Sequence, residues 1–588
     1  MILEGFMKRL FFLPLVFALA FMFAACDSGN TGDFKITLKL PIDTLEVCGD
    51  FEPDDNSGQD YTYCINETDQ VQLSIYSKAD AKDDYAYTDR TLIPVTDNKG
   101  EKGKEFIRSL KKGAYYRFFV EVTNSNEKLK LTGGVEGIYY DDSKNYKVDI
   151  FLAPAGDFAR VVSDRLDEGA DYGSLASYFD EKGSKGAAAV SLKDGRIYMA
   201  GGFDLELEED EEPVTNKAAI LNLKSISNEK AKELPAPLYD HIAALLDDYS
   251  ESGKVIVGFG TSEGGSLNDS VWVYDPESDK YESINLGASA MTKAKAITID
   301  GDVYIVGGCT DSGASNAVYK ISAKSGKIVP EKFATLQQGR CNHAIADVST
   351  VVENKGVKTV TPRILVIGGT TNKTEGKKGS PILGENFAEL VTKGSSKSMS
   401  IEDRDGGDDA ELMKTGLVAP AAVGLIMDDK EEDETVVSVL GGYIFSNSND
   451  TVTAVNNPNL FIFSEDGDKL IYDKNSTPNE CARPSAARLG SEEKSVFKYV
   501  AVNCGIKSID REEGDDQIIF VVQVKRVKDS DRNIEVFSSS VKDTLMEGNK
   551  DNVESGFIID GPVASDGLGQ VFMLGGKYVY QVGSYAIP

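Results

Sequence analysis

Apolar and polar residues alternate with period two in four early segments, Phe34 to Leu40, Val71 to Ile75, Tyr116 to Val122 and Tyr146 to Phe151. Alternation of this kind puts one side of each segment in a core, and the turn-rich stretches between them predict a small antiparallel β-sandwich over residues 33–155. Pro154-Ala155-Gly156 reads as its exit. From Gly186 onward the pattern changes, and an apolar strand runs straight into a glycine doublet again and again. IYMAGG ends at Gly202, VYIVGG at Gly308, ILVIGG at Gly369, VSVLGG at Gly442 and VFMLGG at Gly576. Two weaker copies, VIVGFG ending at Gly260 and VAVNCG ending at Gly505, fill the long gaps and bring the set to seven. Recurrence at roughly 50–70 residues means that one supersecondary unit is copied and stacked. Each such sheet has two apolar faces that it cannot bury alone, and radial stacking covers both. The expected fold is therefore all-β, with the sandwich followed over residues 156–588 by a β-propeller of about seven blades.

A closed ring of sheets needs its ends joined. The carboxyl end offers Tyr578 to Val582 as a third strand and then only Gly583 to Pro588. Phe158 to Val162, just before the first copy, is expected to supply the missing strand. The glycines permit a tight exit and close backbone approach, so Val at Gly307 or Gly368 is expected to damage folding.

The second copy is the clearest. Ile242 to Leu245 is followed by Val255 to Gly258, then by Val271-Trp272-Val273-Tyr274-Asp275-Pro276 and a later Tyr281. This arrangement resembles the kelch family, whose blades follow an apolar strand and glycine doublet with a strand ending in Tyr-Asp-Pro and a later aromatic residue. The resemblance covers roughly residues 185–588. The chain has a single Trp, so the fourth-strand Trp common in kelch blades is replaced or missing. The resemblance implies a rigid platform whose loops on one face bind proteins or glycans. It also implies a rival reading, a propeller enzyme acting on carbohydrate as an oxidase or sugar-acid isomerase; a passive structural protein is a third.

Charge narrows the partners. The 63 basic and 95 acidic residues give a net charge of −32. Polyanion binding depends on Lys and Arg neutralising phosphate, so nucleic acid is excluded as a partner. Acidic runs such as Glu206 to Glu212 and Asp428 to Glu434 read as solvated loop tips.

The amino end adds an address. Lys8 and Arg9 precede an uncharged apolar run from Leu10 to Phe23 and then Ala24-Ala25-Cys26. The run is too short to span a bilayer, and its basic flank and small-residue exit fit a secretory signal. The segment resembles a bacterial lipoprotein signal over residues 1–26, in which cleavage before Cys26 leaves a thiol that receives lipid. Residues 27–32 then form a polar tether. The expected location is the cell envelope, lipid-anchored to an inner or outer membrane, with the mature domains extracytoplasmic.

Setting Cys26 apart leaves six cysteines, an even number for an oxidising compartment. Six cysteines allow fifteen connectivities. Proximity pairs Cys48 with Cys64, Cys309 with Cys341 and Cys481 with Cys504. In a four-stranded antiparallel blade, the loop after the second strand and the loop entering the next first strand open on the same face. Cys309 and Cys504 sit at second-strand ends and Cys341 and Cys481 just before first strands, so the later two pairs suit that geometry.

Candidate chemistry is sparse. The two histidines, His241 and His343, occupy the same repeat position just inside a first strand. Galactose oxidase, a copper enzyme with a kelch-type propeller, places histidine ligands near its axis. It also needs a tyrosine crosslinked to a cysteine, and the proposed pairing uses every thiol. A structural role is expected for both histidines, packing and hydrogen-bonding locally as this position does in kelch blades. Asp54 to Asp60 alternates oxygen ligands without a completing carboxylate and reads as a polar loop rather than a calcium site. Pairs such as Asp403 with Asp405 and Asp408 with Asp409 sit in glycine-rich loop sequence, where no burial separates their pKa values. Arg340 and Arg483 precede first strands. They could line the propeller face near the axis, but a role as loop-to-backbone donors is favoured. No phosphate loop or nucleophile elbow occurs, and no metal, cofactor or catalytic residue is expected.

Overall fold

The computed structural model describes residues 31–39, 69–79, 85–93, 104–126, 129–141, 147–155, 158–160, 184–204, 214–222, 227–250, 252–324, 326–354, 357–372, 380–403, 415–427, 434–445, 452–463, 469–481, 484–489, 497–504, 518–526, 534–540, 562–565, 570–574 and 580–583. Cys26, Cys48, Cys64, the signal segment, residues 27–30 of the tether, the loop from Asp54 to Asp60, Arg483 and Asp405 to Asp409 lie outside these residues, whereas Thr31 and Gly32, expected in the tether, already belong to the first strand because they pair with Lys111 and Leu110. The described chain is all-β apart from short helical turns, and no helix in it is long and apolar enough to cross a membrane.

Two sheets form first. A five-stranded sheet runs in the order Ala86–Ile93, Gln70–Lys78, Ala114–Thr123, Leu129–Tyr140, Ala153–Pro154. A three-stranded sheet runs Lys104–Lys111, Thr31–Lys39, Lys147–Phe151. The alternating residues meet in one core, with Phe34, Ile36 and Leu38 from the smaller sheet against Val71, Leu73, Phe118 and Val120 from the larger. The expectation of wholly antiparallel pairing fails at one place. Thr31–Lys39 lies parallel to Lys147–Phe151, Lys35 opposite Lys147 through Lys39 opposite Phe151. Alternation fixes which side of a strand is buried but not the direction of its neighbour, and the long intervening chain meets the length that a parallel crossover requires.

Seven further sheets of four or more strands follow in chain order, with three two-stranded pairs beside them. The first runs Ala188–Ser191, Ile197–Ala200, Ala218–Asn222, Ser227–Lys230 and the second Ile242–Leu246, Lys254–Gly258, Val271–Asp275, Lys280–Ile284. The third runs Lys295–Ile299, Asp302–Val306, Ala317–Lys324, Lys327–Thr335 and the fourth Ala344–Asp347, Ile364–Ile367, Ala388–Thr392, Ser395–Ser398. The fifth is Ala421–Met427, Glu434–Leu440, Val452–Phe463 and Lys469–Cys481, with Ser400–Asp403 added in parallel at its edge. The sixth is Pro484–Leu489, Phe497–Cys504, Ile518–Arg526, Ile534–Ser540. The seventh has Val563–Ser565, Gln570–Met573 and Tyr580–Gly583 from the carboxyl end, and its fourth strand is Phe158–Arg160. Val582, Gln581 and Tyr580 pair antiparallel with Phe158, Ala159 and Arg160, so the segment expected to complete the last sheet does so.

Burial explains the run of apolar residues in each second strand. Ile197 and Met199 enter a core shared with Ala564, Phe572 and Leu574 of the seventh sheet. Tyr198 and Ala200 point the other way, into a core with Val255, Val257 and Trp272 of the second. The same division recurs at Ile256 with Val303 and Ile305, at Tyr304 and Val306 with Ile364 and Val366, and at Leu365 and Ile367 with Val437 and Val439. Strands buried on both faces read as continuous apolar runs, not alternations. The first strands of successive sheets lie side by side in order, and that of the seventh lies beside that of the first.

Candidate functional site at the mouth of the central cavity

Each first strand is the edge strand of its sheet, so one row of its backbone groups has no strand partner. These edges surround a cavity of ≈ 410 Å³ to which all seven sheets contribute. Its wall is built from small residues, among them Ala188, Ala243, Ala296, Ala421 and Ala486. Larger side chains at these positions would fill the space.

The mouth has its own geometry. The residue two before each of five first strands has left-handed backbone: Gly186 (φ 69), Asp240 (φ 49), Lys293 (φ 53), Asn342 (φ 48) and Ala419 (φ 51). Four of the five carry a side chain, at roughly 1–2 kcal/mol each. The bend turns the backbone of one sheet toward the next, and hydrogen bonds offset the strain. The Asp240 N–H donates to Gly186 O at 3.1 Å, Lys293 N–H to Asp240 O at 3.1 Å and Ala419 N–H to Asn342 O at 2.8 Å.

A second set of bonds uses the glycine doublets. The N–H of the second glycine donates to a carbonyl in the entry loop of the following sheet: Gly202 to Leu238 at 2.7 Å, Gly260 to Met291 at 2.8 Å, Gly308 to Arg340 at 3.0 Å, Gly369 to Leu417 at 2.7 Å and Gly442 to Cys481 at 2.8 Å. The first four acceptors each stand two residues before the left-handed position, so the repeat extends to single backbone atoms across these four seams.

The histidines fill the notch between successive doublets. A Cβ on Gly201 would sit 2.6 Å from His241 Cε1, and one on Gly260 would sit 2.7 Å from His241 Cβ. His343 is held in the same way between Gly307 and Gly369. Both histidines pack as expected, but the expected local hydrogen bonding does not hold for both. It fails for His241, whose ring nitrogens have no hydrogen-bond partner, whereas the His343 ring has the Val306 backbone as a hydrogen-bonding neighbour. Burial lowers the His241 pKa from 6.5 to about 4. Burial first, then the charges of Arg340 and Lys295, hold His343 well below the usual range. The two belong to sheets separated by a third and do not converge, and no cluster of potential metal ligands occurs among the described residues.

Arg340 is fully buried and does not line the cavity. Its guanidinium donates to Gly368 O at 3.1 Å and Asn386 O at 3.0 Å, and pairs with the buried Glu389 carboxylate. That carboxylate also accepts from the N–H of Gln337 at 2.7 Å and of Gln338 at 3.1 Å. The loop-to-backbone role is the one the structure supports: these partners offset the burial of a costly charged group at its terminal nitrogens, while Nε is buried without one.

Cys309 and Cys341 form a disulfide with Cα atoms 5.1 Å apart, joining the third sheet to the entry of the fourth. Cys481 is also in a disulfide, and Cys504 ends the second strand of the sixth sheet. Asp403 ends the strand Ser400–Asp403.

Beside His241, the polar residues that line the cavity are ones the sequence did not single out. Asp240, Lys293, Lys295 and Asn342 form a polar arc on three neighbouring sheets, and Ala419, Pro420, Pro484 and Pro562 form an apolar arc across from them. Lys293 Nζ stands 3.7 Å from Asp240 Oδ2. A reader comparing the residues at the left-handed position could have found them, since Asp240, Lys293 and Asn342 stand there in successive copies. The arc offers ammonium and amide donors and a carboxylate acceptor without a paired nucleophile and base. Such a set can donate and accept hydrogen bonds.

No protein-family model matches the chain, and no curated protein matches it. Among solved structures it is similar to that of YjhT, at 12% identity and a TM-score of 0.34, over 60% of this chain and 94% of that one.

Proposed function

We propose that the protein is a lipid-anchored envelope protein with a non-catalytic binding role. In this reading residues 1–26 are a lipoprotein signal, residues 27–32 a tether, residues 33–155 an Ig-like β-sandwich and residues 156–588 a kelch-like β-propeller of seven blades. The cyclic order of neighbouring first strands and the strand shared between residues 158–160 and 580–583 support the closed ring. The partner is an extracytoplasmic protein or glycan, taken up at the mouth of the central cavity. The observation that carries this is the mouth itself: a rigid, hydrogen-bonded collar presenting Asp240, Lys293 and Asn342 above a wall of small residues. A rigid scaffold holding polar groups in fixed relation is what specific recognition needs.

Pull-down from envelope extract and a glycan array test the reading. Wild-type protein is expected to retain a partner that Lys293→Ala and Asn342→Asp lose, with both variants unchanged in thermal unfolding. Retention by both variants would remove the cavity mouth as the site. Lipid attachment is checked separately: Cys26→Ser is expected to move the protein from the membrane to the soluble fraction.

A further inference from the structure

We infer that the two sheets of residues 31–154 form a base fixed to the side of the seven-sheet array opposite the cavity mouth, so that the mouth opens away from the anchoring membrane and meets its partner from the distal space. The position of the base follows from contacts within the chain, and its orientation to the membrane rests on the lipid-anchored reading above. Strands that alternate in direction give each of the seven sheets two ends. At the mouth end lie the loop entering the first strand and the loop between the second and third. Isolated bridges join these two loops, Tyr239 with Thr261 in the second sheet and Cys341 with Thr370 in the fourth. At the other end lie the loops between the first and second strands and between the third and fourth.

Three connections reach the base, and all three leave the array at the end away from the mouth. Gln570 opens the second strand of the seventh sheet, and its Nε2 donates to Thr132 O at 3.2 Å. Lys193 lies in the loop between the first two strands of the first sheet, and its carbonyl oxygen stands 3.7 Å from the place of a Cβ on Gly137. Thr132 and Gly137 belong to one strand of the base, Leu129–Tyr140. Phe158, which begins the borrowed strand, lies opposite Val582 toward the finish of the third strand. Only Ala155, Gly156 and Asp157 separate it from Pro154 of the base, and the Ala155 N–H is itself held by Lys130 O at 2.8 Å. Burial agrees with these contacts. Register turns Ser74, Phe119, Glu121 and Thr132 to the outer side of the five-stranded sheet, opposite the core side taken by Leu73, Val120 and Leu131. The outer face of such a sheet is commonly solvated, yet Phe119 and Thr132 are each 1% exposed. Glu121 accepts from Gln72 Nε2 at 2.6 Å, so the covered carboxylate has a donor.

The membrane side then follows from length. The five steps from Cys26 to Thr31 span at most about 18 Å of extended chain. Lipid on Cys26 therefore keeps the base close to the bilayer, and the side of the array that carries the base is the membrane side.

Two measurements on the full chain test the inference. Spin labels on p-acetylphenylalanine are placed at Ile107, which is exposed on the smaller sheet of the base, and at either Tyr249 or Glu263. Tyr249 lies in the loop between the first two strands of the second sheet and Glu263 in the loop between its second and third. The strand Lys254–Gly258 separates these loops by about 16 Å. The distance from Ile107 is expected to be shorter to Tyr249 than to Glu263, and equal or reversed distances overturn the inference. In liposomes carrying acceptor lipids, a fluorophore at Tyr249 is expected to be quenched more than one at Glu263, and the reverse overturns the orientation. Quenching at neither site, with the distances as expected, removes the lipid anchor and with it the orientation, while the base stays where the contacts put it. Neither measurement requires a partner, so failure of binding at the mouth and failure here are distinguishable.

Discussion

His241 and His343 show how a titratable residue can serve as packing. Each imidazole occupies space that two glycines leave open, and each is neutral because burial penalises its charged form. Stability must then depend on pH in a stated direction. An unfolded histidine takes up its proton near 6.5, whereas folded His241 does so only near 4. Between those values the unfolded state binds more protons, so this contribution is complete above pH 6.5 and is lost as pH falls toward 4. His241 alone accounts for on the order of 3 kcal/mol, and His343 acts in the same direction. Urea unfolding at pH 7 and pH 4.5 checks this: wild type is expected to lose about 2–3 kcal/mol more than His241→Gln over that interval. The glycines are the other half of the fit. A Cβ on Gly307, whose φ is +59, would lie 2.6 Å from Arg340 O and 2.8 Å from His343 Cε1. Gly307→Val is expected to cost about 3–5 kcal/mol from backbone strain and overpacking together, read as a lower denaturation midpoint. The sequence made the importance of the doublets plain because they recur. It could not show that the histidine of the next sheet is what they accommodate, since that contact joins residues some 40 positions apart.

Strands and entry loops are the next level, and there the seams between sheets carry distinct fastenings. The third and fourth sheets share both the Cys309–Cys341 disulfide and the Arg340–Glu389 pair. With its cysteines 32 positions apart the disulfide contributes roughly 3.7 kcal/mol in the chain-entropy model. Cys341→Ser should lower unfolding stability by that order, and reductant should lower wild type by that much more than it lowers the variant, which keeps the disulfide of Cys481. The ion pair behaves differently. Glu389→Ala leaves a guanidinium buried without its counter-charge and is expected to cost about 3–5 kcal/mol, whereas Arg340→Met with Glu389→Leu is expected to cost much less. A double-mutant cycle in urea distinguishes the two. Proximity in the sequence was enough to pair Cys309 with Cys341, because a doublet end and the next entry loop open on one face. Arg340 was visible only as a cation before a strand, because its partner Glu389 lies on the third strand of the following sheet and nothing local links them.

The whole molecule depends on joining distant parts of the chain. Phe158–Arg160 is only three residues long, yet it completes the seventh sheet, beside the first. Two truncations isolate its contribution, one beginning at residue 157 and one at residue 161. The shorter is expected to unfold at a lower temperature, by about 1 °C for each kcal/mol lost in an array of this size, by differential scanning calorimetry. An equal midpoint for both would mean that the strand adds nothing to the array. The short carboxyl end made a borrowed strand predictable. The parallel pairing of Thr31–Lys39 with Lys147–Phe151 was not, because alternation is blind to strand direction.

Repetition and periodicity in the sequence alone determined the all-β class, the seven copies and the residues that pack between sheets, since burial on two faces imposes continuous apolar runs and one face imposes alternation. Tertiary structure alone decided which side chains share the cavity mouth. Asp240, Lys293 and Asn342 stand about 50 residues apart in ordinary-looking loops. They meet only because a left-handed bend before each first strand repeats from sheet to sheet and turns them toward a common axis.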